Sequence, residues 1–212
     1  MEKRLTVYEY GDPSSDTVLF QMVDGQFLSS LEKETGFIRE KTGRSFKLKA
    51  LMVKSWNDDL SPWKAPAVFG NETFGGGAGQ ILPQVIDIAS QEKGPVYIGG
   101  YSLAGLFALL AAYQTDIFTG VAAVSPSVWF PGFIDYMRDH EIRTAIVDLS
   151  LGDKEEKTKN PVISTVGSNI REAYDLLLHT TAACMLTWNK GNHFKDAELR
   201  TAEAFARLLN GS

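Results

Sequence analysis

The stretch GGYSLAGLFALL, residues 99–110, joins a short apolar run to a segment rich in alanine and leucine. The apolar residues before it are typical of a buried strand, and those after it are typical of a buried helix. Ser102 falls where the strand turns into the helix, and Gly100 allows a sharp turn there. Small residues at Ala104 and Gly105 let the helix pack close to the strand. The pattern predicts a nucleophile elbow, a turn that holds a hydroxyl out at the positive end of a helix.

One position departs from the usual G-x-S-x-G pattern of such an elbow. Ala104 replaces the second glycine, and Gly105 follows it. The same residues also fit a glycine-rich turn that carries a serine without a chemical role. The choice between these two interpretations depends on whether the chain supplies the base and the acid that a serine nucleophile needs.

Strand patterns alternate with helix patterns along the chain. The predicted strands are 4–10, 17–23, 46–53, 95–100, 120–125, 143–152 and 182–189. The predicted helices are 27–41, 80–92, 102–114, 133–140, 164–179 and 196–210. The segment 57–79 is rich in glycine and proline and predicts a long loop. This alternation predicts an α/β fold in which helices cover both faces of a mostly parallel sheet, and we expect a single domain over residues 1–212.

Composition excludes several classes of partner. The 212 residues carry a formal net charge of −5, which argues against nucleic acid or an anionic membrane as a partner. Cys184 is the one cysteine, so no internal disulfide is possible, and its apolar surroundings predict a buried thiol. No apolar run is long enough to span a membrane, and the first residues lack the apolar region of a secretory signal. We therefore expect a cytoplasmic protein.

His193 is the predicted base for Ser102. It lies in WNKGNHF, between the last predicted strand and the last predicted helix, at the sheet edge where ligands bind in parallel sheets. The chain order of serine, acid and then histidine is the one expected for a serine nucleophile on such a sheet. His140 and His179 each end a predicted helix, so we interpret both as surface or capping residues.

The acid should follow the strand 143–152, where the chain reads GDKEEKTKN. Asp148 lies inside that strand and comes too early. The side chain must leave the strand end and turn back towards the imidazole. This requirement favours Glu155, then Asp153, then Glu156.

Six segments together carry a resemblance to a known family. They are VDG (23–25), NDDLSPW (57–63), GYSLAG (100–105), SPSVWF (125–130), GDKEE (152–156) and GNHF (191–194). In this order they resemble the esterases of the α/β-hydrolase superfamily that include esterase D-like enzymes, feruloyl esterases, siderophore esterases and mycolyltransferases. The resemblance implies an α/β-hydrolase fold with Glu155 as the acid. It also implies an oxyanion hole formed by the backbone N–H groups of Leu103 and Gln26.

The predicted cleft is open. Only residues 126–141 separate the strand ending in AVS from the next strand, which is too short for a separate lid domain. We expect walls from residues 57–63, 74–77 and 125–130. Candidate pocket residues are Trp56, Trp63 and Trp129, whereas Trp188 is predicted to lie in the core.

These residues predict a serine hydrolase that cleaves a small-molecule carboxylic ester through Ser102, His193 and Glu155, with an acyl-enzyme intermediate. No cofactor is expected, because GGGAG (75–79) lacks the lysine of a phosphate-binding loop and is better interpreted as a flexible loop. No metal is expected either, since the three histidines are scattered. Acyl transfer and thioester cleavage would use the same residues. A non-catalytic binding protein of the same fold is the alternative from another class.

Overall fold

A seven-stranded sheet forms the centre of the computed structural model, which describes residues 5–211. Its strands are β1 (Thr6–Gly11), β2 (Val18–Val23), β3 (Lys47–Met52), β6 (Val96–Tyr101), β7 (Gly120–Val124), β8 (Ile146–Gly152) and β9 (Ala183–Asn189). They are arranged in the order β1-β3-β2-β6-β7-β8-β9. β1 pairs with β3 in the antiparallel sense, and all the other neighbours are parallel. β4 (Lys64–Ala65) and β5 (Phe74–Gly75) form a separate antiparallel pair.

Eight helices surround the sheet in the described part of the chain. They are α1 (Gly25–Leu28), α2 (Leu31–Thr42), α3 (Trp56–Leu60), α4 (Ala78–Ala89), α5 (Leu103–Gln114), α6 (Phe133–Asp139), α7 (Val166–Leu178) and α8 (Ala197–Gly211). Two short 3₁₀ helices, Glu155–Lys157 and Ile163–Thr165, lie between β8 and α7.

Each face of the sheet is buried in its own hydrophobic cluster. Because successive side chains of a strand point to opposite faces, Phe20 and Met22 of β2 pack with α4, α5, α6 and α7, whereas Leu19 and Val23 pack with α2 and α8. α5 is buried over almost its whole circumference, from Leu103 to Tyr113. This complete burial explains why its sequence is apolar on all sides.

The seven predicted strands match the seven strands of the main sheet, so the predicted α/β class and the mostly parallel arrangement are confirmed. Arg4, which the first predicted strand included, lies outside the described residues. The predicted helix 27–41 is divided into α1 and α2. Between β7 and β8 the chain forms α6 and no inserted domain, as predicted.

The segment 57–79 was wrongly predicted to lack regular structure. It contributes most of α3, together with β4 and β5, and the Ser55 hydroxyl caps α3 by accepting from the N–H of Asp58. Its glycines permit close packing: a Cβ on Gly76 would lie 2.6 Å from the backbone nitrogen of Lys64, and one on Gly77 would lie 2.6 Å from the carbonyl oxygen of Asp58. The glycines therefore let this segment pack against α3 and the start of β4.

Two side chains of β9, the edge strand of the sheet, are less buried than the sequence predicts. Trp188 is 40% exposed, with the guanidinium of Arg171 lying 4.6 Å from its ring centroid, so its predicted place in the core is wrong. An edge strand has a neighbour on one side only, which leaves its large side chains partly open to water. Cys184 is half-buried, and burial, with the nearby Asp148 charge, raises the pKa of its thiol to about 12.

In residues 5–211, no helix has the length and apolar character that crossing a membrane requires.

Glu34 of α2 is a buried carboxyl on the α2–α8 face of the sheet. Gln21 Nε2 donates to its Oε2 at 3.3 Å, and its Oε1 has no hydrogen-bond partner among the described residues. Burial raises the pKa of Glu34 from its ordinary 4.5 to about 8. The folded state therefore keeps a proton that the unfolded chain releases. The resulting stabilisation is complete below pH 4.5 and is lost as the pH rises to about 8.

Replacement of Glu34 by glutamine should remove this pH dependence. We expect the Tm of Glu34→Gln to exceed that of the parent protein by an amount that grows between about pH 5 and about pH 8 and then levels off, because a carboxylate buried without a charged partner is costly. Thermal unfolding at several pH values measures this difference. Glu32→Gln, on the exposed face of the same helix, is the control and should show no such growth. A constant difference in Tm at all pH values would contradict the assignment.

Candidate active site

Ser102 lies at the carboxyl end of β6, directly before α5, in a backbone conformation that serine rarely adopts. Its φ is 59° and its ψ is −119°. Backbone hydrogen bonds hold this conformation: the Ser102 N–H donates to the carbonyl of Val124 at 2.9 Å, and the Ser102 carbonyl accepts from Leu106 and Ser127. Strained residues held by surrounding bonds are concentrated at functional sites. The turn therefore has the geometry of the predicted elbow.

Alanine fits at position 104 because the contacts that leave no room for a Cβ are made at Gly100 and Gly105. A Cβ on Gly105 would lie 2.9 Å from the carbonyl oxygen of Gly100 and 3.2 Å from the backbone nitrogen of Val124. A Cβ on Gly100 would lie 2.6 Å from the methyl carbon of Ala104. The departure from the usual pattern is thus accommodated, with Gly105 supplying the small residue where helix and strand meet.

The structure brings the three predicted side chains into contact. His193 Nε2 lies 3.0 Å from Ser102 Oγ, and His193 Nδ1 lies 2.7 Å from Glu155 Oε2. A carboxylate can only accept, so Nδ1 carries the hydrogen and Nε2 is free to accept from the serine hydroxyl. The serine and the histidine are 91 positions apart in the chain. They meet because each follows a parallel strand, and the carboxyl ends of these strands lie at the same end of the sheet.

Glu155 is a buried carboxylate with a full set of donors. Its Oε1 accepts from Ser125 Oγ at 2.7 Å, from the Gly152 N–H at 2.8 Å and from Arg200 Nη1 at 3.2 Å. Its Oε2 is left for His193. Burial alone would raise the pKa of Glu155, but the His193 contact and the Ser125 and Gly152 donors together lower it below its ordinary value. The carboxyl is therefore ionised and fixed in orientation.

The other acids have different partners. Asp153 accepts from the N–H of Gly191 at 2.8 Å, and this bond holds the loop that leads to His193. Glu156 pairs with Arg171 at 2.8 Å. Asp148, within β8, pairs with Arg207 of α8 at 2.7 Å. Among the acids considered from the sequence, Glu155 is the one whose hydrogen bond reaches His193.

His140 and His179 lie outside the site. Each is the exposed C-terminal cap of a helix, α6 and α7 respectively, and His140 Nδ1 lies 2.8 Å from the carbonyl oxygen of Tyr136. Both were predicted as surface or capping residues, and the prediction is confirmed. Within residues 5–211, no three histidine, cysteine or acidic side chains are grouped so that they could hold a metal ion.

Sequence reasoning missed Arg200 and Tyr101, which lie behind the contact between Glu155 and His193. Arg200 is 3% exposed and donates to Glu155, to the Tyr101 hydroxyl and to the carbonyl of Lys190. The Tyr101 hydroxyl donates to the carbonyl of His193 at 2.6 Å. The available signal was the position of Arg200 on the apolar face of α8, four residues before buried Ala204, where an unpaired charge would be costly.

A cleft of about 760 Å³ opens in front of Ser102, and most of the surface that lines it is apolar. The predicted walls contribute Asn57, Phe74 and, from residues 125–130, Ser125, Ser127 and Trp129. Residues 154–166 and 192–194 form further walls of the cleft, which the sequence did not predict. The residues of these walls that line the cleft are Lys154, Glu155, Lys157, Thr158, Ile163, Val166, Asn192, His193 and Phe194.

Of the three predicted pocket tryptophans, Trp56 and Trp129 line this cleft and Trp63 does not. Trp63 donates from Nε1 to the carbonyl of Pro131 and packs against Phe130, Phe133 and Tyr136. These contacts turn it towards α6 and a separate surface groove. The expectation for Trp63 is therefore wrong, and its role is in packing.

The two predicted oxyanion donors differ in their surroundings. Leu103 is the first residue of α5 and lines the cleft, and an N–H in the first turn of a helix has no intrahelical partner. The N–H of Gln26 donates to Asp24 Oδ1 at 2.9 Å, because Asp24 caps α1, and Gln26 is not among the residues that line the cleft. Use of this amide for an oxyanion would require the bond to Asp24 to be given up.

Solved structures with a similar fold cover nearly the whole chain. The siderophore hydrolase EstA from Aspergillus nidulans matches with a TM-score of 0.76 and 17% identity over 99% of this chain and 96% of that one. An IroE-like serine hydrolase from Shewanella oneidensis matches with a TM-score of 0.76 and 15% identity over 97% and 76%. The chain has the α/β-hydrolase fold.

A third similar structure is that of the enterobactin esterase from Shigella flexneri, with a TM-score of 0.67 and 14% identity over 98% of this chain and 56% of that one. No protein-family model matches the sequence, and the search of curated proteins finds no match. At these identities the likeness establishes the fold. It agrees with the family resemblance carried by the six sequence segments.

Replacement of Arg200 should change the chemistry of Ser102 as well as the stability of the fold. We expect Arg200→Met to slow labelling of Ser102 by a fluorophosphonate probe about 10- to 100-fold, because the imidazole is less firmly positioned. We also expect the acid limb of the rate-against-pH profile to move to higher pH. The Arg200 guanidinium lies 3.2 Å from Glu155 Oε1, so its removal should allow Glu155 to take up a proton at higher pH. Labelling rates measured by mass spectrometry across pH test both effects.

Two variants separate positioning from general destabilisation. Arg200→Lys keeps the charge and should return the acid limb towards its parental position. Arg207→Met removes another arginine of α8, whose partner Asp148 lies outside the cleft. It should lower the Tm without moving the acid limb. A folded Arg200→Met protein with the parental pH profile would show that Arg200 has a structural role alone.

Proposed function

We propose that this protein is a serine esterase that needs no cofactor and hydrolyses carboxylic esters through an acyl-enzyme intermediate. The observation that carries the proposal is the continuous set of contacts from Glu155 Oε2 to His193 at 2.7 Å and from His193 to Ser102 Oγ at 3.0 Å, at the base of an apolar cleft. We infer that the described residues, 5–211, form one domain, since all three residues follow strands of a single main sheet.

In the acylation step, Ser102 Oγ attacks the ester carbonyl carbon while His193 Nε2 takes the hydroxyl proton. A bond forms between Oγ and that carbon, and the carbonyl π electrons move to the oxygen. The Glu155 carboxylate keeps Nδ1–H in place and offsets the positive charge of the imidazolium. Because Glu155 is buried and already hydrogen-bonded, little reorganisation is needed when this charge develops.

The negative oxygen of the tetrahedral intermediate needs hydrogen-bond donors. Leu103 is the first residue of α5 and lines the cleft, so its N–H, at the positive end of that helix, would be one donor. Gln26 would supply the second N–H if substrate binding draws it away from Asp24. The Ser127 hydroxyl, whose Oγ lies 3.3 Å from Ser102 Oγ, is a further donor already facing the cleft.

Collapse of the intermediate breaks the bond to the alcohol oxygen, which receives the proton held by His193. A water molecule then attacks the acyl-enzyme, giving its proton to His193, and Ser102 leaves with that proton as the acid product departs. The cycle balances without any other reactant. Acyl transfer replaces the water by another hydroxyl, and thioester cleavage replaces the leaving oxygen by sulfur.

The similar solved structures support the ester class, because they are named as siderophore hydrolases, a serine hydrolase and an enterobactin esterase. The ionised Glu155 and the strained Ser102 argue against the alternative of a non-catalytic binding protein. Such a protein would have no need to keep a costly backbone conformation and a buried charge at the same place.

Replacement of Ser102 by alanine should reduce hydrolysis of aryl esters by about 10⁴-fold or more, because the triad acts as a unit. His193→Ala should have a similar effect, and the double variant should be little slower than either single variant. Initial rates with a simple aryl acetate measure this. His140→Ala, an exposed histidine outside the cleft, is the control and should keep the parental rate. Parental turnover by Ser102→Ala would refute the proposed mechanism.

A further inference from the structure

Apart from Trp56, which stacks on Phe27, the aromatic side chains that line the cleft form two groups. The first, called here the Trp129 wall, consists of Phe69, Phe74 and Trp129, with ring centroids 6.1 Å apart for Phe69 and Trp129 and 6.0 Å apart for Phe74 and Trp129. The second, called here the Phe194 wall, consists of His193 and Phe194, with ring centroids 5.6 Å apart. Both walls line the cleft that contains Ser102.

Phe194 is unusually open to water for a large apolar residue. It is 91% exposed, and its ring stands at 87° to the imidazole of His193. Phe69 of the Trp129 wall is 51% exposed. Folding leaves nearly all of Phe194 and half of Phe69 in contact with water, so each contributes less to stability than a phenylalanine of the core. A ligand that covered them would remove apolar surface from water, which favours binding.

The chemistry of the site assigns one part of the ester to each wall. His193 must return its proton to the departing alcohol oxygen, so the alcohol part has to lie on the His193 side of Ser102. The acyl part stays bonded to Ser102 Oγ while water approaches through the space that the alcohol has left. The acyl part therefore has to lie away from His193. Phe194 stands next to the imidazole and would therefore contact the alcohol part, which leaves Phe69 and Trp129 as the candidates for contact with the acyl part.

The size and charge of the cleft fit this assignment. A volume of about 760 Å³ exceeds what a small acetate ester would fill and is typical of sites for larger ligands. Apart from Glu155 and His193, the charged side chains that line it are Lys154 and Lys157, both exposed to solvent. The remaining surface around Ser102 is mainly aromatic and aliphatic.

We propose that the site selects esters that are bulky and apolar on both sides of the carbonyl, with Phe194 contacting the alcohol part and Phe69 contacting the acyl part. This inference rests on the proposed esterase function and adds a substrate class to it. Phe194 and Phe69 then determine specificity independently of each other, because they act on different parts of the substrate.

A crossed set of substrates and variants tests the assignment. The esters are ethyl acetate, 2-naphthyl acetate, ethyl octanoate and 2-naphthyl octanoate, which vary the alcohol and the acyl group separately. The variants are Phe194→Ala and Phe69→Ala. The quantity compared is a ratio of kcat/KM values within each protein, so that differences in intrinsic ester reactivity cancel between variants. Leu178→Ala, which removes a 46% exposed apolar side chain of α7 outside the cleft, is the control.

Phe194→Ala should lower the preference for naphthyl over ethyl esters by about 10-fold and leave the preference for octanoyl over acetyl within about twofold. Phe69→Ala should do the reverse. Leu178→Ala should change neither ratio. Because both phenylalanines are exposed, Tm values close to that of the parent protein are expected and will show that the variants are folded.

The results separate failure of this inference from failure of the proposed function. Ester cleavage that depends on Ser102, with both ratios unchanged in folded variants, would overturn the inference and leave the esterase function standing. A shift of both ratios by one variant would also overturn it, because the two walls would then not act separately. Absence of Ser102-dependent cleavage of all four esters would overturn the esterase function and this inference together.

Discussion

The buried carboxylate of Glu155 is the interaction on which the candidate site depends. A carboxylate that is 6% exposed must be compensated by donors, and those donors come from Ser125 after β7, from Gly152 of β8, from Arg200 of α8 and from His193. One group thus ties together two neighbouring strand ends, the last helix and the loop that carries the base. A shift of any of these would leave a buried charge unpaired, so the geometry at His193 is held by the same contacts that make the burial of Glu155 tolerable.

Backbone strain at the site follows the same logic. Ser102 and Ser125 both have positive φ values, 59° and 43°, and they follow neighbouring strands of the sheet. Ser102 presents its hydroxyl to the cleft, and Ser125 directs its hydroxyl to Glu155. The bonds of Ser102 to Val124, Leu106 and Ser127 hold one turn, and the N–H of Ser125 donates to the carbonyl of Ser150 in the other. The sheet thereby maintains two unfavourable conformations where the chemistry would take place.

The features that sequence reasoning found are those with a local signature. Apolar runs with turn residues between them predicted all seven strands of the main sheet, and the glycine-flanked Ser102 predicted the elbow. The failures also have a physical pattern. The glycines of 75–77 indicated a loop, but they serve close packing against α3, which depends on residues earlier in the chain. Trp63 and Trp188 were assigned from residue type, although their surroundings depend on which helix or sheet edge they face.

The sequence by itself determined the alternation of strands and helices, the position of Ser102 at a strand end and the placement of His193 after the last strand, because each depends on neighbouring residues. Only the tertiary structure decided that Glu155, and neither Asp153 nor Glu156, contacts His193, and that Arg200 and Tyr101 lie behind that contact. It also decided the separation of the Trp129 wall from the Phe194 wall. These outcomes depend on distances between residues that are far apart in the chain, and the order of the strands in the sheet sets those distances.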